Sequence, residues 1–189
     1  MLPDRVSPVL SDNRIFVMIS WLCFEWQTQS LPDVSSLVAP LVVRAAKKSD
    51  FEAVANVLKS AFSADSAWGD VNRSVAVKLA AATEEVFSEE EPHCVVIVHG
   101  TRIIGASLLD VGAEAPNHLL SGPCILHEYR NRGLASALLA ASLDHLCQNG
   151  IQLARGITRA NSLAARFVYP KFGGVAHPLE TDPLMTEAA

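Results

Sequence analysis

A chain of 189 residues, half of them hydrophobic, is one domain long with material for a sizeable core, and 15 basic against 20 acidic side chains leave a net charge of −5. Mild acidity excludes a non-specific polyanion binder, which needs clustered cations, so no nucleic-acid partner is expected. The apolar run Ile15 to Phe24 is too short to span a bilayer and is followed by no small-x-small cleavage site, so no membrane association is expected.

That run is expected to pack on the domain as an extra strand or helix, or to remain a poorly ordered extension. Leu31 to Pro40, with two prolines and two serines, reads as a linker. The chain therefore divides into an N-terminal extension, 1–40, and a domain, 41–189. Leu41 to Arg44 is a strand candidate. Ser49 and Glu52 form a capping box that starts a helix running to about Phe62, with Phe51, Val54, Val57, Leu58 and Ala61 at helical spacing. Ser63 to Asp70 is a loop, and a second helix covers Val71 to Phe87. His93 to His99 and Arg102 to Val111 form a hairpin around Gly100-Thr101. His118 to Leu126 is the next strand, with a bulge or edge at Gly122-Pro123. Leu134 to Gln148 is a helix that turns Ala135, Leu139, Ser142 and Leu146 to the core and stops at Gly150. Ile151 to Ile157 is a strand, and Asn161 to Tyr169 is a helix broken by Pro170 and Gly173-Gly174. Cys23, Cys94, Cys124 and Cys147 show no C-x-x-C pair and no disulfide framework. They read as free thiols of a reducing, cytoplasmic compartment, and no metal site is expected.

The most informative stretch is Tyr129-Arg130-Asn131-Arg132-Gly133-Leu134-Ala135-Ser136, between a strand and a helix. A helix N-terminus offers unpaired N–H groups and the positive end of its dipole, which suits phosphate. Gly133 lets a ligand approach the backbone, and Arg130 and Arg132 add charge in an acidic chain.

The pattern Arg-x-x-Gly-x-Ala at Arg130 to Ala135 resembles the pyrophosphate-binding motif of the GNAT superfamily of acetyl-CoA-dependent N-acetyltransferases. Asn161, Ala164, Phe167, Tyr169, Lys171 and Gly173 resemble the second signature of that family. Two departures stand out. Tyr169 is eight residues past Asn161 where the family spacing is seven, and Gly174 replaces the usual phenylalanine. The element order from Leu41 to Gly174 is similar to the GNAT fold, an α/β (α+β) architecture whose mixed sheet, flanked by helices, splays open at the phosphate turn.

The resemblance implies transfer of an acetyl group from acetyl-CoA, as co-substrate, to a primary amine of a small molecule, peptide or protein by direct attack. It places the pyrophosphate on the N–H groups of Arg132, Gly133, Leu134, Ala135 and Ser136, with Arg130 beside them and Asn161 on the cofactor arm. Ile125 and Leu126 would supply N–H groups to the oxyanion, and Tyr169 a proton to the thiolate. Many relatives carry a glutamate base on the strand before the turn. Here that region is Asn117-His118-Leu119-Leu120, so His118 is the nearest candidate, ahead of Glu114 and Glu128. Family members usually end in a two-strand hairpin lining the acceptor site. Val175-Ala176-His177 offers one short strand, and the N-terminal apolar run is expected to fill the gap. The alternative function is a non-catalytic module that binds acyl-CoA. A homodimer is among the assemblies the sequence permits.

Overall fold

The structure, a computed structural model, describes residues 20–32 and 37–184. Valine and isoleucine dominate two adjacent runs, and β-branched side chains suit a pleated surface packed on both faces. β3 (Cys94–His99) is accordingly buried at every residue but its last, and β4 (Arg102–Leu108) at every residue but its first. With β2 (Leu41–Ala45) and the short β5 (Cys124–Ile125) they make an antiparallel sheet in the order β2-β3-β4-β5.

Helix α1 (Phe51–Ser63) buries Val54, Val57, Leu58, Ala61 and Phe62, the face its spacing predicts. Its start differs from the expected capping box. A tight turn at Lys48–Asp50 precedes it, and no side chain caps it. Asp50 instead accepts from the Lys47 N–H at 2.8 Å and pairs with Arg44 at 2.6 Å. The Arg44 guanidinium holds the Asp50 carboxyl below its usual range. Helix α2 (Asn72–Ser88) follows, and α3 (Leu134–Gln148) buries Leu138, Leu139, Ser142, Leu143 and Leu146 against β3 and β4.

The second sheet joins the two ends of the chain. Residues 15–19 of the apolar run lie outside the described residues. From Trp21 the chain forms β1 (Trp21–Gln27), the middle strand between β6 (Leu153–Arg159) and β7 (Val175–Leu179), antiparallel to both. The pair of strands expected at the C-terminal side is therefore built from β7 and a strand contributed by the N-terminal segment. Glu25 fixes the register on one face, meeting Arg155 at 3.2 Å and His177 at 3.6 Å. On the other face Trp26 is 1% exposed; its indole N–H donates to the Tyr169 carbonyl at 3.4 Å, and its ring meets the Tyr169 ring edge-on at 5.0 Å. Trp26 also explains Gly174. A Cβ at 174 would stand 2.5 Å from the Trp26 indole nitrogen, so the family's phenylalanine has no room there.

The two sheets touch at one end and part at the other. Where they touch, the N–H groups of His118 and Leu119 both donate to the Arg155 carbonyl, at 2.8 and 3.1 Å. Asn117 Oδ1 accepts from the Ile157 N–H at 3.0 Å. The strand expected over His118 to Leu126 is correspondingly broken. Leu119 makes an isolated bridge to Leu109, Gly122 turns the chain at φ +61°, and pairing resumes only at Cys124.

Trp26→Ala removes a fully buried aromatic side chain that two strands and Tyr169 pack against. The expected cost is about 3–5 kcal/mol, measured as a shift in the urea unfolding midpoint; a shift below about 1 kcal/mol would show that β1 is not part of the stable core.

Candidate active site

The parting sheets leave a cleft of about 1490 Å³ that runs from the turn before α3 past the sheet ends to α2. Three regions line it. Gly133 to Ser136 stand at one end. Gly122, Cys124, Ile125 and Tyr169 stand at the fork where the sheets separate. Trp21, Phe62, Trp68 and Leu79 form the far arm.

At the first end, Gly133 caps α3 at φ +75°, a conformation natural to glycine, and Asn131 is also left-handed at φ +61°. A Cβ on Gly133 would meet nothing within 4 Å, so the space above it is open. The N–H groups of Arg132, Gly133, Leu134 and Ala135 carry no hydrogen bond among the described residues, whereas the Ser136 N–H already donates to the Gly133 carbonyl at 3.1 Å. The expected row of five donors is thus four. The Arg130 guanidinium is spent internally. It donates to the Ile125 carbonyl at 3.2 Å and the Ala61 carbonyl at 2.8 Å, bracing β5 against the end of α1 while leaving its charge beside the cleft. Arg132 is exposed, donates to the Glu128 carbonyl at 3.2 Å and lies 5.5 Å from the Tyr129 ring centre.

At the fork, Leu126 is not a free donor, because its N–H is bonded to the Ile104 carbonyl at 2.9 Å. Antiparallel pairing alternates, so the neighbouring Ile125 peptide turns away from β4 toward the splay. Tyr169 reaches this point by an unusual route. The residue inserted before it is absorbed in a π turn at Ala164–Val168, which a tighter turn at Tyr169–Phe172 follows. The ring packs on Phe24 and Trp26, and its hydroxyl lies against Gly122, where an added Cβ would stand 2.6 Å from the oxygen. Burial, and secondarily Cys124, raises the Tyr169 pKa above its ordinary value. Burial likewise pushes the Cys124 thiol up to about 12.

Two expected site residues stand elsewhere. His118 is completely buried and does not line the cleft. Its Nδ1 accepts the Arg155 N–H at 3.0 Å and its Nε2 donates to the Gly112 carbonyl at 3.2 Å, so it is the neutral Nε2–H tautomer. It fastens the touching ends of the sheets, and with both nitrogens committed it is no proton acceptor for a substrate. Asn161 is exposed and does not line the cleft. Ser162 takes the capping role, accepting from the Ala165 N–H at 3.1 Å and meeting Thr158 Oγ1 at 3.0 Å. Asp65 is a side chain that sequence reasoning passed over. It was one polar residue of a loop, yet it lines the cleft.

An open row of N–H donors at a helix start, set where a sheet splays, is the layout of an acyl-group transferase domain. The family model described as an acetyltransferase (GNAT) domain matches residues 62–181, and the chain belongs to this family. Among solved structures it is similar to a GCN5-related N-acetyltransferase from Sphaerobacter thermophilus, at 14% identity and a TM-score of 0.61 over 85% of this chain and 49% of that one. A GNAT-family acetyltransferase from Colwellia psychrerythraea gives 15% identity and a TM-score of 0.61 over 85% and 53%. A GCN5-related N-acetyltransferase from Kribbella flavida gives 17% and 0.53 over 85% and 56%. At these identities the likeness is one of fold, and the chain spans about half the length of the structures it matches. No curated protein matches it. Among the described residues no helix is long and apolar enough to cross a membrane.

Burial holds His118 neutral and pushes its pKa below the ordinary 6.5. The unfolded chain then binds the proton more readily, so the stabilisation is complete above 6.5 and is lost as pH falls toward the depressed folded value. His145, lowered by burial and by His93, adds to the same slope. The thermal midpoint is expected to fall between about pH 7.5 and 5.5, and to fall less in His118→Gln than in the parent. Equal pH slopes in the two proteins would contradict the fastening role.

Proposed function

We propose that the protein is an N-acetyltransferase that moves an acetyl group from acetyl-CoA to a primary amine of a small molecule or peptide. The observation that carries the reading is the continuity of one cleft from the open N–H groups of residues 132–135 to the fork at Ile125 and Tyr169. The residues fit the co-substrate. Four N–H donors, the positive end of α3 and the unobstructed space over Gly133 suit a pyrophosphate, with the Arg130 charge alongside.

The amine nitrogen attacks the thioester carbonyl. The C–N bond forms, the C–S bond breaks, and the electron pair leaves on sulfur. The Ile125 N–H, turned toward the splay, suits the developing oxyanion. Tyr169 faces the same point. Burial raises its pKa and keeps its hydroxyl protonated, so it suits the departing sulfur as a hydrogen-bond donor.

One observation favours the alternative, a module that binds acyl-CoA without transferring it. Arg130 occupies the Ile125 carbonyl, which an extended pantetheine arm would otherwise use as an acceptor. Amine-dependent release of CoA separates the two functions.

Calorimetric titration with acetyl-CoA is expected to give micromolar affinity, about 8 kcal/mol. Gly133→Glu places a carboxylate over the turn at a left-handed position and is expected to weaken binding about a hundredfold, roughly 2.8 kcal/mol. No binding by the parent protein would overturn both functions, and equal binding by the variant would remove the turn from the site.

A further inference from the structure

Direct transfer requires a group at the fork to take the proton of the attacking amine, and His118 is committed to the backbone. We propose that Asp65 is that group, and that the far arm of the cleft receives a primary amine carried on an apolar body. The inference rests on the acyl-transfer reading above.

Asp65 stands in the connection between α1 and α2, half-buried, and lines the cleft together with Gly122, Cys124 and Tyr169. Its charge adds a minor part to the raised pKa of the buried Cys124 thiol, which burial dominates. Its Oδ1 accepts the Ala67 N–H at 3.0 Å, which sets the orientation of the carboxylate. Oδ2 has no hydrogen bond among the described residues and is free for a ligand. The segment that carries Asp65 is held from both sides. The Trp68 ring packs 5.0 Å from Phe62 and 5.8 Å from Trp21, and Asp70 makes a two-point ion pair with Arg159, which is 1% exposed at the end of β6. A carboxylate on a segment fixed in this way is placed in advance of the substrate.

The arm beyond Asp65 has an apolar wall of Trp21, Phe62, Trp68, Val75 and Leu79, and Lys78 and Glu85 of α2 also line the cleft. The apolar wall gains from burying an apolar body. Among the other charged residues that line the cleft, Arg130 donates to two carbonyls, Lys78 donates to the Pro183 carbonyl at 3.1 Å, and Asp110 accepts from the Gly112 N–H as Asp65 does from that of Ala67. In the reaction the amine nitrogen bonds to the carbonyl carbon, and its surplus proton passes to Asp65. The electron pair of the broken C–S bond stays on sulfur, and the proton is released from Asp65 to the thiolate or to solvent.

The test compares the parent protein with Asp65→Asn, whose side-chain oxygen can still accept from Ala67. Amine-dependent CoA release is measured with 2-phenylethylamine and with 1,4-diaminobutane. Acetyl-CoA affinity and thermal midpoint are measured alongside. The parent is expected to favour 2-phenylethylamine by at least about tenfold in kcat/KM. The variant is expected to lose about 10²–10³-fold in kcat while acetyl-CoA affinity and midpoint stay unchanged. Parent turnover that the variant retains within about threefold overturns the role of Asp65. A preference for the diamine overturns the apolar acceptor. Acetyl-CoA binding with no release from either amine by the parent overturns the reaction as well as this inference.

Discussion

The fold depends on a small set of hydrogen bonds at the closed end of the splay. Two successive N–H groups, from His118 and Leu119, converge on one carbonyl, that of Arg155, while the His118 ring and the Asn117 side chain take the N–H groups of Arg155 and Ile157. A sheet that simply continued would pair β5 with β6 along their length and leave no cleft. Here pairing is confined to one end, and the Gly122 turn carries the chain away from it. Unpaired strand edges inside a protein are costly unless a ligand or water satisfies them. The open end therefore suits an extended, hydrogen-bonding partner.

The second constraint is Trp26. It belongs to a strand from the N-terminal segment, yet it packs on Tyr169 and fills the space over Gly156 and Gly174. Through it the position of the tyrosine hydroxyl depends on a residue 143 positions away in sequence. The π turn and Trp26 act together. The turn makes up the extra residue, and the indole fixes how deep the ring sits. Trp21, on the same strand, lines the far arm of the cleft. One strand thus supports both the fork and the far wall.

What the sequence made legible was local. The turn before α3 could be read because a glycine, a helix start and a preceding strand lie within a few residues of one another, and orphan N–H donors follow from helix geometry alone. The faces of α1 and α3 followed from periodicity. What stayed hidden was non-local. An apolar run announces a strand but not its neighbours, so nothing in Trp21 to Gln27 names β6 and β7. His118 looked like a base because a histidine near neutrality suits one, but its ring partners lie six and 37 residues away, and they make it a fastener. Asp65 carried no signal because a single aspartate in a loop looks like any turn residue. The cap at Ser162 was one position from the residue that family resemblance favoured, and only its contacts with Thr158 and Ala165 distinguish the two.

The central claim is that the splayed end holds the co-substrate between the two sheets. A crystal structure of the protein with CoA tests it most directly. The account predicts the pyrophosphate on the N–H groups of residues 132–135 and the extended arm lying between β5 and β6, with its sulfur at the fork beside Tyr169. A CoA molecule bound elsewhere, or an arm lying outside the splay, would contradict it.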